Sequence, residues 1–331
     1  MKRIIALALC LSFLFAFCSC TKVPETEEYQ EPTTEAPVDV KIAGLMGPTG
    51  MGMTYLFDDY DYVISSDPSD VGQKLVAGEY DIAALPTNVA ATLYNKTGGK
   101  IKIISVATLN VLYLIEKTGK ESATLSDLKG SKIFVSGQGS APEYVLEFLL
   151  SANGLTVGKD VTLDFTYNTH ADLATLVKGG KTTHAVLPEP NVTASTLGNT
   201  SESVTIDLGA EWDKAVAGTE NEGSKIAMGC IAVNTEFLDA HPGAVATFLK
   251  DYAASVASVT TEEGASTLIE QYGILPKAAV AEAALPRCNI VCITGDDMQK
   301  TISGFLKVLF EANPDSVGGQ LPDENFYYKV K

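Results

Sequence analysis

The sequence predicts an α/β protein built from two lobes of similar construction. From Val40 onward, short apolar runs alternate with amphipathic stretches, which is typical of parallel βαβ units. About 290 residues follow position 39, enough for two domains of ordinary size. A loose internal repeat supports two lobes: residues 75–86 and 176–188 each run from a helix through Gly to a strand that ends at Pro, with spacings that differ by one residue.

The hydrophobic pattern assigns most of the chain to short strands and amphipathic helices. The predicted strands occupy residues 41–45, 62–65, 81–85, 101–108, 110–117, 132–136, 161–167, 183–187, 203–208 and 226–234. The predicted helices occupy residues 53–59, 69–77, 88–96, 141–153, 171–178, 192–197, 211–216, 235–238, 243–259, 261–271, 277–284 and 296–312. In such sheets ligands bind at the carboxyl ends of the strands, so candidate site residues are expected in the loops that follow the strands.

The beginning of the chain predicts export. Residues 1–19 form a basic start and an apolar run too short to span a bilayer, as in a signal peptide. The run ends in Ser19-Cys20, which resembles a bacterial lipobox and predicts a lipid on Cys20, with Cys18 as a rival and a plain secretory signal as the alternative. Residues 20–39, rich in Pro, Glu and Thr, predict a flexible leash.

Charge and cysteine content exclude several classes of function. The formal net charge is −17, and becomes −19 without Lys2 and Arg3, so the protein would be repelled by nucleic acid. Beyond position 20 only Cys230, Cys288 and Cys292 remain, an odd number that gives neither a disulfide framework nor a four-ligand zinc pattern. We expect buried thiols or one disulfide among them, and we predict no metal and no cofactor.

In the first half of the chain, candidate ligand contacts follow two predicted strands. A glycine-rich turn before a helix start offers free backbone amides, although the same pattern is typical of a tight βα turn. Asn88 offers donors and acceptors but is equally suited to capping a helix. These candidates are Gly47, Pro48, Thr49, Gly50, Met51, Thr87 and Asn88.

In the second half, two further loops follow strands. Residues 137–143 place Pro142 at a helix start, where free amides and the Ser140 hydroxyl could hold a ligand oxygen or serve only as a cap. Glu189 would need a partner inside a closed cleft, and we expected an amine or ring N–H of the ligand in the absence of an available Arg; a solvent-facing loop is the alternative. The candidates here are Gln138, Gly139, Ser140, Ala141, Glu189, Pro190 and Asn191, with Asn110 added between the two halves.

Several of these segments together resemble a known family. The lipobox-like start, the leash, and residues 41–53, 75–86, 137–150 and 187–190 are similar to substrate-binding lipoproteins of ABC importers. The branch that they resemble groups sulfonate- and nitrate-binding proteins with binders of thiamine-pyrimidine precursors. The resemblance implies a type II periplasmic-binding-protein fold, with two mixed sheets flanked by helices and joined by two crossing strands.

The resemblance also implies a division of the chain and a function. Lobe 1 would comprise residues 40–108 and 234–331 and lobe 2 residues 112–227, with hinge strands near 109–112 and 228–233. The protein would be a monomer outside the cytoplasmic membrane, capturing a small molecule for an ABC permease and its ATPase. The alternatives are a cofactor-consuming enzyme related to pyrimidine precursor synthases, and a surface sensor or adhesin. No catalytic residue set favours the enzyme.

Overall fold

The computed structural model describes residues 38–329, which lie within one compact unit. The predicted signal peptide, Cys20 with its predicted lipid, and the leash up to residue 37 lie outside the described residues. No helix in the described part of the chain has the length and apolarity needed to span a bilayer.

The strands are short and the longest helices come near the end of the chain. The strands are β1 (Lys41–Leu45), β2 (Asp61–Ser65), β3 (Ile82–Pro86), β4 (Ile101–Thr108), β5 (Leu112–Lys117), β6 (Lys132–Val135), β7 (Thr162–Asp164), β8 (His184–Pro188), β9 (Glu202–Asp207), β10 (Gly229–Asn234) and β11 (Ile290–Ile293). The helices are α1 (Pro48–Met51), α2 (Pro68–Ala77), α3 (Thr87–Thr97), α4 (Ala141–Ala152), α5 (His170–Lys178), α6 (Asn191–Thr196), α7 (Leu208–Val216), α8 (Thr235–Ala240), α9 (Pro242–Thr261), α10 (Ala265–Gln271), α11 (Ala278–Ala284) and α12 (Gly295–Ala312).

The strands form two mixed sheets, which confirms the predicted fold class. The first sheet has the order β11-β4-β10-β3-β1-β2, and the second has the order β7-β6-β8-β5-β9. In the first sheet, β10 runs antiparallel to β3 and β4. In the second, β5 runs antiparallel to β8 and β9, while β6 is parallel to β7 and β8. We call each sheet with its helices a lobe.

The chain passes between the sheets twice. It leaves the first sheet after β4 and enters the second at Leu112, so residues 109–111 form the first crossing. The second passage lies between α7 and β10, at residues 217–228. The predicted position of this passage, near 228–233, is wrong, because β10 begins at Gly229 and pairs with β3 and β4 of the first sheet. Asn110 and Ile226 are bonded to each other where the passages meet, through Asn110 N–H to the Ile226 carbonyl (2.9 Å).

On one side of the crossings the two lobes share a hydrophobic core. The ring of Trp212, on α7, lies 6.3 Å from the ring of Phe305, on α12, in an edge-to-face arrangement. The Trp212 indole N–H donates to the Ser224 carbonyl at 3.0 Å, so the buried ring also has a polar partner. Asn313 donates to the hydroxyl of Tyr144, on α4, at 2.9 Å. Helices α4, α7 and α12 therefore hold the lobes together on this side.

Two predicted helices and one strand that was not predicted show where the structure departs most from the expected elements. The helix expected at 53–59 is replaced by α1 and a 3-10 turn, Thr54–Leu56, because Pro48 starts a helix before the expected one. Helix α10 begins at Ala265 rather than at 261, because Gly264 has a φ of +92° that interrupts the helical backbone. Strand β11 was not predicted, since four residues are too few to show a clear alternation.

Candidate functional site

The turn that follows β1 in the first sheet lies close to the loop that follows β8 in the second sheet. The turn after β1 begins at Gly47, and a Cβ atom placed on this residue would lie 4.0 Å from Cδ of Pro190, in the loop after β8. The turn at residues 137–140 follows β6, which is parallel to β8 and adjacent to it in the sheet. The turn after β1 therefore meets the loop after β8, and the turn at residues 137–140 lies one strand further along the edge of the second sheet.

The glycine-rich turn of the first lobe depends on glycine at two positions. Gly47 has φ +100° and ψ −160°, a backbone conformation that only glycine adopts readily. A Cβ atom on Gly50 would collide with the carbonyl oxygen of Leu45, so the close return of the chain excludes any side chain. The first amides of α1, at Thr49 and Gly50, have no partner within the helix by its geometry. Pro48 is half-buried, whereas Met51 is fully buried in the core.

Thr87 and Asn88 support the first lobe itself. Thr87 is fully buried, and its amide donates to the Met228 carbonyl at 3.2 Å. Asn88 lies inside α3, and its side-chain amide donates to the Ser316 carbonyl at 3.4 Å. Asn88 is therefore not the helix cap, because α3 begins one residue earlier, and its side chain is bonded to the lobe's own C-terminal segment.

Asn110 has a structural role at the crossing. Its φ is +48°, in the left-handed region, and its side-chain oxygen accepts from the Ile226 amide at 3.1 Å. Its carbonyl accepts from the side chain of Asn289 at 3.1 Å. We predict a ligand contact for Asn110; in the structure its amide, its carbonyl and its side-chain oxygen are hydrogen-bonded at the junction between the lobes.

The amides at the start of the loop at residues 137–143 already have hydrogen-bond partners within the protein. The Gln138 amide donates to Asn168 Oδ1 at 2.6 Å, and the Gly139 amide donates to Glu143 Oε2 at 2.5 Å. The Ser140 hydroxyl donates back to the Gly137 carbonyl at 2.5 Å. Ala141 starts α4 and is 5% exposed. The amides of Gln138 and Gly139 and the Ser140 hydroxyl, expected to be free, are thus hydrogen-bonded to Asn168, to the Glu143 carboxylate and to the Gly137 carbonyl.

A serine and a histidine that the prediction left out lie beside this loop. The hydroxyl of Ser136, which follows β6, is 2.7 Å from Nδ1 of His170, the first residue of α5. Ser136 is fully buried, and burial lowers the pKa of the His170 imidazole. A pairing over 34 positions gives no signal in the sequence, although both residues stand at the ends of elements that reach the same sheet edge.

Glu189 is paired with a cationic side chain of the protein itself, Arg287, and not with an amine of a ligand as expected from the sequence. Arg287 Nε donates to Glu189 Oε1 at 2.6 Å, and Arg287 Nη2 donates to the Thr193 hydroxyl at 2.8 Å. The Thr193 amide and hydroxyl each donate to the Glu189 carboxylate at 3.0 Å. The Glu189 side chain is fully buried, so it is not a solvent-facing loop residue, and no ligand amine is needed to neutralise it. Asn191 begins α6 beside this cluster and is partly buried.

A separate cavity of about 530 Å³ lies in the first lobe. It is lined by residues 259–266 together with Glu282, Leu285, Pro286, Asn289 and Ile290. All of these residues follow β10 in the chain, and none of the site residues predicted from the sequence lines this cavity. Among the described residues, no group of three or more His, Cys, Asp or Glu side chains is placed to hold a metal ion.

The fold matches that of solved ABC-transporter binding proteins. An ABC transporter structure from Parabacteroides distasonis superimposes with a TM-score of 0.74 at 24% identity, covering 88% of this chain and 99% of that one. The periplasmic aliphatic sulphonate binding protein SsuA from Escherichia coli gives 0.67 at 15% identity, covering 89% and 94%. The periplasmic nitrate-binding protein NrtA from Synechocystis PCC 6803 gives 0.52 at 14% identity, covering 76% and 68%.

These similarities agree with the resemblance stated from the sequence. At these levels of identity they show the fold. Neither a protein-family model nor a curated protein sequence matches the chain.

Proposed function

We propose that this chain is an extracytoplasmic solute-binding lipoprotein, which captures one small molecule between its lobes and delivers it to an ABC permease and its ATPase. The observation that carries the proposal is the meeting of the two sheet edges, at Gly47 and Pro190 and again at Glu189 and Arg287. The two-sheet fold, shared with ABC-transporter binding proteins, supports it. The protein works as a monomer and catalyses no reaction.

Binding proceeds by movement of the lobes about the crossings at residues 109–111 and 217–228. Closure removes water from the space between the sheet edges, which strengthens each polar contact made to the solute. Because α4, α7 and α12 pack together across the two lobes, we expect the movement to separate Gly47 from Pro190 rather than these helices from one another.

We further propose that the solute is a weakly charged heterocycle, such as a pyrimidine-type thiamine precursor, rather than a sulfonate or nitrate-like anion. An oxyanion needs free amides or cations. In the second lobe the Gly139 amide is already bonded to the Glu143 carboxylate, and Arg287 is bonded to Glu189. A second anion at either position would face a negative side chain.

The test is to identify the molecule that copurifies with the protein by native and denaturing mass spectrometry. Isothermal titration should then be run with a hydroxymethylpyrimidine, ethanesulfonate and nitrate as probes, with small-angle scattering to follow compaction. We expect one-to-one binding of the pyrimidine with compaction, and no binding of the anions. Tight binding of ethanesulfonate would contradict the ligand class, and the absence of binding and compaction with any metabolite tried would contradict solute capture.

The anchor is tested separately. We propose that the lipid is attached to Cys20, which lies outside the described residues. In a bacterial host fed an alkyne-bearing fatty acid, the full chain should be labelled and the Cys20→Ser variant should not. Cys18→Ser is the matched control and should retain the label; loss of label only in Cys18→Ser would move the anchor to that residue.

A further inference from the structure

We propose that Arg287 and Glu189 form a latch that holds the two lobes in the closed arrangement. The latch comprises Arg287 from the first lobe and Glu189, Thr193 and Tyr113 from the second. A role of the latch in solute capture rests on the proposed function, whereas its effect on the contact between the lobes can be tested without any ligand.

The latch joins the two sheets through very short connections. Glu189 follows Pro188, the last residue of β8 in the second sheet. Arg287 ends a 3-10 turn and lies three positions before Ile290, the first residue of β11 at the edge of the first sheet. Movement of one sheet edge away from the other must therefore pull on this pair.

Arg287 is held by several groups of the second lobe at once. Its guanidinium donates to Glu189 Oε1 at 2.6 Å and to the Thr193 hydroxyl at 2.8 Å. Its backbone carbonyl accepts from the Tyr113 hydroxyl at 3.2 Å, and its Cζ lies 6.0 Å from the centre of the Tyr113 ring. Because a guanidinium presents its donors in a fixed planar fork, these contacts define one orientation of the two lobes.

Burial makes the two ends of the latch dependent on each other. The Glu189 side chain is fully buried, whereas the Arg287 side chain is 36% exposed. Replacing a buried pair as a whole can be nearly neutral, but removing one member leaves a desolvated charge without its partner. If Arg287 is removed, the carboxylate keeps the two bonds from Thr193 but loses its cation. Water then becomes the replacement partner, and its entry where the Arg287 side chain was weakens the contact between the sheet edges.

The latch is also connected to the first crossing. The Asn289 side-chain amide donates to the Arg287 carbonyl at 3.3 Å and to the Asn110 carbonyl at 3.1 Å. The Leu109 amide donates to the Asn289 carbonyl at 3.1 Å. Rotation at residues 109–111 is therefore transmitted directly to the segment that carries Arg287.

The experiment compares Arg287→Gln, Glu189→Gln and the double variant with the unaltered chain, all free of ligand. Lys132→Gln is the matched control, because Lys132 and Asp164 form an ion pair of 2.5 Å within the second lobe. Hydrogen exchange is followed at α6 and at residues 285–289, with β10 as an internal reference. Small-angle scattering measures the radius of gyration, and circular dichroism verifies folding.

Each single latch variant should exchange at least about tenfold faster at α6 and at residues 285–289 and should have a larger radius of gyration, while β10 is unchanged. In the double variant the increase in exchange rate should be smaller than the two single effects combined, because it leaves no unpaired charge.

Unchanged exchange and an unchanged radius of gyration in both single variants overturn the latch, as does an equal effect of Lys132→Gln. Glu189→Gln, which is nearly isosteric, keeps the test valid if Arg287→Gln fails to fold. A failed latch would leave solute capture intact, since the ligand is identified by a different measurement.

Discussion

Asn110 and Asn289, the two non-glycine residues with positive φ in the described chain, are hydrogen-bonded to each other where the chain crosses between the lobes. Their φ values are +48° and +43°. The Asn289 side chain donates to the Asn110 carbonyl at 3.1 Å. Asparagine tolerates the left-handed region better than other residues with a Cβ, so the crossing uses the residue type that allows a sharp change of direction.

Asn110→Ala should lower the free energy of unfolding by about 2–3 kcal/mol, since it adds left-handed strain and leaves the Ile226 amide unpaired. Asn110→Gly is the matched control: it relieves the strain but not the lost bond, so its loss should be about 1 kcal/mol smaller. Urea unfolding of both variants measures the difference. Equal losses would show that the backbone conformation costs nothing at this position.

Gly50→Ala should destabilise the protein by about 2–4 kcal/mol, because its Cβ would collide with the Leu45 carbonyl oxygen. The control is Gly179→Ala, at a glycine with φ −78° whose nearest neighbours are at ordinary contact distance, from 3.4 Å. We expect that control to change stability by less than about 1 kcal/mol. Thermal melting of the two variants side by side makes the comparison, and a stable Gly50→Ala protein would refute the close approach.

Glu202→Gln should raise the free energy of unfolding at neutral pH by about 1 kcal/mol. Both carboxylate oxygens of Glu202 are buried without a hydrogen-bond partner, and burial raises the pKa of this carboxyl. Because the pKa of Glu202 is higher in the folded than in the unfolded chain, its ionised form destabilises the folded protein at neutral pH. This destabilisation decreases as the pH falls and the carboxylate becomes protonated. The advantage of the variant should therefore shrink in acid, which urea titrations at several pH values would detect.

Glu116→Gln, in the neighbouring strand β5, should lower the free energy of unfolding, because this carboxylate has hydrogen-bond partners. The buried Glu116 carboxylate accepts from the Ser122 amide at 2.9 Å and from the Ser122 hydroxyl at 2.8 Å, and it lies 3.3 Å from Nε2 of His184. The same substitution here should destabilise the protein by about 1–3 kcal/mol. If both variants change stability in the same direction, hydrogen-bond satisfaction does not explain their difference.

His170 should titrate below its ordinary value in a nuclear magnetic resonance experiment, because burial lowers the pKa of its ring. The unfolded chain then binds more protons than the folded chain as the pH falls below about 6.5, so the His170 contribution to stability is lost in acid. Replacing His170 by Gln should reduce the loss of stability between pH 7.5 and pH 5.5. A ring that titrates at or above its ordinary value would contradict this explanation.

The regular elements were largely predictable because their patterns are local. The alternation of residues 41–45 and 101–108 gave β1 and β4 with their observed bounds. The short strand β11 was missed, since its identity as a strand comes from pairing with β4 rather than from its own four residues.

The candidate site was less predictable because its contacts join distant positions. Glu189 and Arg287 are separated by 98 positions, and Ser136 and His170 by 34. The sequence did hold one usable signal: Arg287 is the only arginine after Arg3, and Glu189 is a carboxylate predicted to need a partner in a closed cleft. The loop at residues 137–143 was correctly predicted to follow a strand. Its Gln138 amide, however, is hydrogen-bonded to Asn168, which lies in the connection between β7 and α5 and could not be assigned to this loop from the sequence.

The scarcity of arginine has a practical consequence for proteolysis. Within residues 38–329 an arginine-specific endoprotease has a single target, the peptide bond after Arg287. The enzyme must draw several residues around that bond into its own cleft, which the bonds from Glu189, Thr193 and Tyr113 oppose. The rate at which the chain is cut into two fragments therefore reports how often this segment is released, using unlabelled protein and a gel.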